Sequence, residues 1–133
     1  MSSKHVVVAI SGASGSIYGI RCLQMLREIS DVVAHLVVTP SAKSTIGVET
    51  KFSISEIEKL ADEVHSPRDI GASIASGSFQ TSGMIVAPCS IKMLSAIANS
   101  FGSDLVSRAA DVTLKEKRPL ILMVRETPFH LGH

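Results

Sequence analysis

Aromatic residues are scarce in this chain of 133 residues, which has four Phe, one Tyr and no Trp. Hydrophobic residues nevertheless make up 45% of the chain, so the core has to be aliphatic and rich in alanine, as in layered α/β folds. An excess of charge of either sign is also lacking. The chain has 13 basic and 12 acidic residues, and the basic residues form no run. This balance argues against nucleic acid and anionic membranes as partners.

The sequence also lacks long apolar runs and has only two cysteines. No segment approaches the roughly 18 apolar residues of a membrane span, and the first five residues lead into a strand pattern without the apolar core of a signal peptide. The two cysteines, Cys22 and Cys89, lack the number and spacing of a disulfide framework or a metal site. We therefore expect a cytoplasmic protein with reduced thiols, folded as a single domain over residues 1–133.

The most informative segment runs from Val6 to Gly19. A β-branched run, typical of a buried parallel strand, leads through a glycine-serine turn into a helix pattern. Gly12 and Gly15 allow a sharp turn and a close approach of the backbone to a ligand. The free N–H groups and the dipole of the following helix favour an anion. The segment predicts a phosphate-binding loop, although small residues in an ordinary β-turn-α connection would explain the same pattern.

The glycine spacing indicates which class of phosphate ligand the loop could bind. G-x-x-G-x-x-x-G matches neither the G-x-G-x-x-G dinucleotide fingerprint nor the P-loop, because no Gly-Lys-Ser/Thr follows. This argues against hydrolysis of ATP or GTP. A dinucleotide site also places an acidic residue after the second strand, where this chain has Thr39. The loop fits a phosphate monoester better than NAD.

Strand and helix patterns alternate along the chain. This alternation predicts a three-layer α/β/α, Rossmann-like (flavodoxin-like) domain with a parallel sheet and right-handed crossovers. Residues 62–82 are polar and rich in Gly, Ser and Ala, and they predict mostly loop with one helical turn at 69–76. The patterns place strands at 6–10, 32–38, 84–87 and 119–124, and helices at 15–28, 41–50, 53–60, 91–99 and 103–116.

Polar residues collect in four loops that follow the strands. Because ligands of such folds bind at the carboxyl ends of the strands, these loops are expected to share one crevice. They are Gly12–Ser16, Thr39–Ser41, Pro88–Lys92 and Arg125–Thr127.

Two cations stand on one predicted helix. Arg108 and Lys115 lie seven residues apart, on nearly the same stripe two turns from each other. They could clamp a second phosphate. The alternative is a solvated basic face paired with Asp111 and Glu116, and the pattern alone favours that alternative.

Five ordered motifs resemble the UbiX-type flavin prenyltransferases, long called aromatic-acid decarboxylases, within the flavoprotein superfamily. The resemblance spans nearly the whole chain and extends in outline to the cysteine-decarboxylating flavoproteins. The motifs are S-G-A-S-G-S-I-Y-G (11–19), A-S-G-S-F (75–79), P-C-S-I-K (88–92), R-A-A-D-V-T-L-K-E (108–116) and R-E-T-P-F-H-L-G-H (125–133).

The resemblance implies an enzyme that transfers a dimethylallyl group from dimethylallyl phosphate to reduced FMN, with no metal. The prenylated flavin would serve a UbiD-type decarboxylase, including the one in ubiquinone biosynthesis. The implied FMN contacts are Gly12, Ala13, Ser14, Thr39, Ser90, Ile91, Lys92, Met93 and Arg125. The implied phosphate contacts are Arg108, Lys115 and Arg125, and the implied catalytic residues are Ser14, Glu49 and Glu126, with Ser14 and Glu126 as proton relay.

The residue types suit this chemistry, but other interpretations stay open. Arginine and lysine stabilise a departing phosphate, and a carboxylate beside a hydroxyl can remove a proton. Structurally, Glu126 could instead pair with Arg125 or Arg108, and Glu49 could be a surface residue. An FMN carrier without turnover and a cysteine-decarboxylase-like flavoprotein are the alternative functions.

The sequence departs from the family at two places. Thr39 and Pro40 stand where relatives usually have serine and lysine. Relatives also continue past His133 with a helix, a strand and a tail that closes on the substrate phosphate, so we expect the chain to lack a C-terminal segment. The resemblance further implies a dodecamer built from trimers, with the flavin at subunit contacts.

Overall fold

A computed structural model describes residues 3–133. Its strands are β1 (Lys4–Ile10), β2 (Val32–Val38), β3 (Glu63–His65), β4 (Gly83–Cys89) and β5 (Leu120–Val124). Its α-helices are α1 (Ser16–Arg27), α2 (Pro40–Glu49), α3 (Ile54–Glu58), α4 (Ile91–Ala98) and α5 (Leu105–Lys115), and Ser73–Ala75 form a 3₁₀ turn. All paired strands are parallel, in the order β3-β2-β1-β4-β5, which confirms the predicted fold class.

Helices cover both faces of the sheet. Val8 and Ile10 of β1 point to one face and pack with α1, α2 and α3, whereas Val7 and Ala9 point to the other and pack with α4 and α5. Alternating residues of one strand therefore enter two separate cores, which explains why β1 is hydrophobic at nearly every position. Both cores are aliphatic, as the composition predicts.

The strand order reverses direction at β1. The chain goes outward from β1 to β2 and β3, then crosses back to place β4 on the other side of β1. The connections leaving β1 and β4 therefore diverge to opposite faces and leave a crevice between them at the carboxyl edge. The fold thus places its ligand crevice between the loop after Ile10 and the loop after Cys89.

The prediction of a loop at 62–82 is wrong over its first residues, because Glu63–His65 form β3 and pair with β2. The strand has only three residues, two of them polar, so it offers no alternating pattern to recognise. It is an edge strand whose ladder with β2 is formed by tertiary pairing rather than by local propensity. The helical turn expected within 69–76 is confirmed at Ser73–Ala75.

Among residues 3–133, no helix is both long and apolar enough to cross a membrane.

Candidate active site

The loop after β1 is held close to α2. A Cβ at Gly12 would collide with the side chain of Ser41 in the first turn of α2. Gly15 caps α1 with φ of 104°, in the left-handed region that favours glycine. Both glycines are therefore required by the geometry of this turn, as the sequence predicts.

The anion at the N-terminus of α1 is a side chain of the protein itself. Oε1 of Glu49, the last residue of α2, accepts hydrogen bonds from Gly15 N at 3.1 Å, from Ser16 Oγ at 3.1 Å and from Ser16 N at 3.5 Å. Although desolvation acts to raise the pKa of Glu49, these bonds and the Ser14 hydroxyl outweigh it and hold that pKa below its usual value. A ligand phosphate is thus not needed at this helix.

Ser11 joins the loops that follow β1 and β4. Its buried hydroxyl donates to the Pro88 carbonyl at 2.7 Å and accepts from the Ser90 N–H at 2.8 Å. The N–H of Arg125 donates to the Cys89 carbonyl at 3.1 Å and places the β5 loop beside them. Hydrogen bonds of the Ser11 hydroxyl and of the backbone therefore fix the relative positions of three of the predicted loops.

A small cleft lies among these three loops. It contains both residues of the predicted proton relay, Ser14 and Glu126, together with Arg125. Within residues 3–133, no carboxylate lies in salt-bridge distance of the Arg125 guanidinium, so the pairing with Glu126 is not formed. The cleft is lined by Gly12, Ala13, Ser14, Ser90, Ile91, Arg125 and Glu126.

A larger cavity of about 740 Å³ adjoins the cleft, and Ser90 lines both. The helices α2, α4 and α5 all begin at it, since its lining includes their N-cap residues Thr39, Ser90 and Asp104. The lining combines hydroxyl groups with the apolar side chains of Met93 and Phe101. Its volume falls within the range of about 300–1,000 Å³ that is typical of small-molecule sites.

The two cavities together contain ten of the predicted site residues. Thr39, Lys92 and Met93 line the larger one, beside the predicted residues of the cleft. Arg108, Lys115 and Glu49 line neither. Arg108 and Lys115 are exposed along α5, and no carboxylate of residues 3–133 pairs with them, so the alternative pairing with Asp111 and Glu116 is not formed either.

Sequence reasoning missed several residues of the site. Ser11 opens the first motif, but its bridging role gives no local signal because its two bonds are long-range. Ser41 lies in the predicted Thr39–Ser41 loop, whereas Phe101 and Asp104 line the larger cavity outside the predicted loops. Asp104 could have been found, because an acidic N-cap marks a helix start at the carboxyl edge of the sheet.

Cys89 lies next to the cleft but is not a reactive nucleophile. Its side chain is fully buried, and burial raises the pKa of its thiol to about 11. At neutral pH the thiol stays protonated, whereas nucleophilic attack requires the thiolate.

Comparisons with known proteins agree with this geometry. The family model described as Flavoprotein matches residues 1–130. Flavin prenyltransferase UbiX of Escherichia coli (strain K12) is 58% identical over 130 residues, which are 98% of this chain and 69% of that protein.

Two solved structures superpose closely on the chain. The structure of AnUbiX (PadA1) in complex with FMN and dimethylallyl pyrophosphate has a TM-score of 0.95 and 47% identity, and the match covers 97% of this chain and 68% of that one. The dodecameric FMN-dependent UbiX-like decarboxylase from Escherichia coli O157:H7 has a TM-score of 0.94 and 47% identity, over 96% of this chain and 69% of that one.

Proposed function

This chain belongs to the UbiX-type flavin prenyltransferases of the flavoprotein family, and we propose that it joins a dimethylallyl group from dimethylallyl phosphate to reduced FMN. The observation that carries the proposal is the shared lining of one cleft by a glycine loop, a cation and a carboxylate, namely Gly12–Ser14, Arg125 and Glu126. The cleft opens at Ser90 onto a cavity large enough for a flavin.

The residues at the larger cavity suit FMN. The first turns of α2 and α4 present backbone N–H groups and the positive ends of their dipoles, and Lys92 adds a full charge. Asp104 at α5 is negative and disfavours an anion there. We therefore assign the FMN phosphate to the side of Thr39, Ser41 and Lys92, away from α1, whose N-terminus holds Glu49.

The remaining predicted cofactor contacts fall around the flavin's other end. Met93 supplies an apolar surface in the larger cavity, while Ala13 and Ile91 line the cleft with Ser14. Bound reduced FMN supplies the nucleophilic ring that accepts the prenyl group. The chain's own groups then have to hold the donor phosphate and accept a proton.

Arg125 is positioned to bind the departing phosphate. Its side chain lines the cleft and has no carboxylate partner within residues 3–133, so its charge is available to a substrate. Charge that develops on a leaving phosphate is stabilised by such a preorganised guanidinium.

Arg108 and Lys115 would act on a neighbouring subunit's site. The 11 residues of α5 span about 16 Å, and Lys115 ends the helix away from the N-cap Asp104 that lines the cavity. Neither cation lines the cleft of its own chain. We infer that in a homo-oligomer, such as the dodecamer of the relative, α5 of one copy lies at the cleft of another.

Glu126 is proposed as the base and Ser14 as the hydroxyl that relays the proton to it. Both line the cleft, and Glu126 is half-buried with its Oε1 bonded to the Thr127 N–H at 3.2 Å. Glu49 is assigned a positioning role, because its carboxylate is bound to the backbone of Gly15 and Ser16. It fixes the loop that carries Ser14.

The prenylated flavin is then expected to pass to a UbiD-type decarboxylase. Adding the product to such a decarboxylase prepared without cofactor should restore decarboxylation, and equal activity with unmodified FMN would contradict this step.

The proposal is tested by single-turnover conversion under anaerobic conditions. FMN-loaded protein with its natural termini is reduced, mixed with dimethylallyl monophosphate or diphosphate, and the released flavin is analysed by mass spectrometry. A flavin that carries one dimethylallyl group is expected. Tight FMN binding without product from either donor would favour the carrier function, and release of carbon dioxide from a cysteine-ended peptide would favour the decarboxylase.

A further inference from the structure

Three histidines from neighbouring strands form a hydrogen-bonded row on the sheet face covered by α4 and α5. Nδ1 of His5 on β1 lies 2.8 Å from Nε2 of His35 on β2, and Nδ1 of His35 lies 2.9 Å from Nε2 of His65 on β3. None of the three lines the cleft or the larger cavity. The flavin chemistry leaves this row unexplained.

The strand register brings a carboxylate to the same place. His35 is paired with Glu63 on one side and with Val7 on the other, and His5 precedes Val7 by two residues on the same face. Oε2 of Glu63 lies 3.5 Å from Nε2 of His35. The donor atoms of His5, His35 and Glu63 all lie within 4.8 Å of one another.

We propose that His5, His35 and Glu63 bind a divalent transition-metal ion of the Zn²⁺ class, through two imidazole nitrogens and one carboxylate. Imidazole and carboxylate are the donors that Zn²⁺ accepts at three-ligand sites, with water in the fourth position. The Glu63 side chain is 52% exposed, so this ligand lies at the surface of the protein.

The two histidine nitrogens need only a small adjustment to share an ion. With Zn–N bonds of about 2.0–2.1 Å and tetrahedral angles, two nitrogen ligands stand roughly 3.3 Å apart. The His5 and His35 nitrogens, now 2.8 Å apart, therefore have to separate by about 0.5 Å. His35 is fully buried and stays fixed, whereas His5 is half-buried near the start of its strand and Glu63 lies on the edge strand.

His65 is the residue that orients His35. When Nε2 of His35 faces the ion, its Nδ1 carries the hydrogen, and Nε2 of His65 is placed at 2.9 Å to accept it. Such an acceptor behind a ligating imidazole fixes its tautomer and ring orientation. The Phe79 ring packs edge-on against both His5 and His35, with centroid distances of 5.0 and 5.5 Å, and limits their rotation.

A bound ion would join three strands. β3 has only three residues and pairs with β2 alone. Ligands from β1, β2 and β3 would fasten this edge strand to the centre of the sheet. Because an ion that binds only the folded chain stabilises it by mass action, Zn²⁺ is expected to raise the melting temperature.

The test is calorimetric titration of tag-free, EDTA-treated protein with ZnCl₂, combined with thermal unfolding. We expect one ion per chain and a higher melting temperature that EDTA reverses. Glu63→Gln and His5→Gln should each weaken binding at least tenfold, and His65→Gln by roughly 10- to 100-fold. Glu58→Gln, at a partly buried acidic residue of α3 outside the proposed site, is the matched control and should bind as the wild type does.

A second pair of histidines has to be excluded as the source of any zinc binding that is measured. His130 and His133 are exposed, and their rings lie close together near the end of the chain, with centroids 3.6 Å apart and planes tilted by 37°. The double variant His130→Ala/His133→Ala should keep the full affinity. Loss of binding in that variant, unchanged binding in Glu63→Gln, or no binding by the wild type would each overturn the proposal. Because Glu63 is exposed, its variant keeps the test valid even if His5→Gln does not fold.

Discussion

The carboxylate of Glu49 accepts a hydrogen bond from the backbone N–H of Gly15 at 3.1 Å. The end of α2 is thereby tied to the start of α1, across the loop that carries Ser14. The positive end of the α1 dipole is occupied by this side chain. We therefore propose that the ligand phosphate binds at the other helices of the crevice and that Glu49 supports the loop that carries Ser14.

Glu49→Gln is expected to destabilise the protein by about 0.5–1 kcal/mol, because it removes a negative charge from a helix N-terminus. The pKa of Glu49 is lowered in the folded state, so its stabilising effect is present above the ordinary value of 4.5 and is lost as the pH falls through the lower folded value. Urea unfolding of both proteins at pH 7 and at acidic pH measures this.

Glu58→Gln is the control for that comparison, since Glu58 is a partly buried carboxylate at the end of α3, away from a helix N-terminus. Its unfolding free energy should change little. A difference between wild type and Glu49→Gln that persisted unchanged down to the most acidic pH would contradict the charge-dependent role.

Gly19→Ala is expected to destabilise the protein by roughly 1–3 kcal/mol through overpacking. Its Cβ would collide with the Ala87 carbonyl oxygen and lie 2.7 Å from Ile10 Cγ1, so the backbones of α1 and β4 would have to separate. Gly47→Ala is the matched change, with no atom within 4 Å of the new Cβ. It should stabilise α2 by up to about 1 kcal/mol. Thermal unfolding that ranked the two variants the other way would contradict this packing.

Ser11→Ala tests the bridge between the β1 and β4 loops. It leaves the buried Pro88 carbonyl and the Ser90 N–H each without one partner, which costs about 1–3 kcal/mol. We also expect weaker FMN binding, measured by flavin fluorescence, because Ser90 lines both cavities. Ser44→Ala, on an exposed face of α2, is the control. Wild-type stability and FMN affinity in Ser11→Ala would exclude the bridge.

Cys89 should resist alkylation in the folded protein, because its thiol is buried and its pKa is raised to about 11. Peptide mapping after iodoacetamide treatment at mildly alkaline pH should show it unmodified. In urea, both Cys89 and Cys22 should react. Rapid labelling of Cys89 in the native protein would mean that the β4 end is open to solvent.

Much of this architecture is readable from local pattern, and the exceptions have physical causes. The β-branched run of β1 and the glycines after it predict a buried strand and a tight turn, because φ near 104° at Gly15 is favourable only for glycine. β3 is invisible because three residues, two of them polar, carry no periodicity.

The active site likewise combines features that the local sequence predicts with features that depend on tertiary structure. The cleft and the larger cavity follow from four loops at one sheet edge, which parallel topology requires. The bonds of Ser11 and Glu49 span 77 and 34 residues and depend on tertiary structure that no local pattern encodes. The positions of Arg108 and Lys115 outside both cavities also follow only from the direction of α5.

The central claim is that the cleft between the β1, β4 and β5 loops performs prenyl transfer, with Glu126 accepting the proton. The most direct measurement compares Glu126→Gln with Glu58→Gln for FMN affinity and for prenylated flavin formed per chain. Glu126→Gln should bind FMN as the wild type does and form product roughly 100- to 10,000-fold more slowly, the usual effect of losing a general base. Product formation at the wild-type rate by Glu126→Gln would contradict the account.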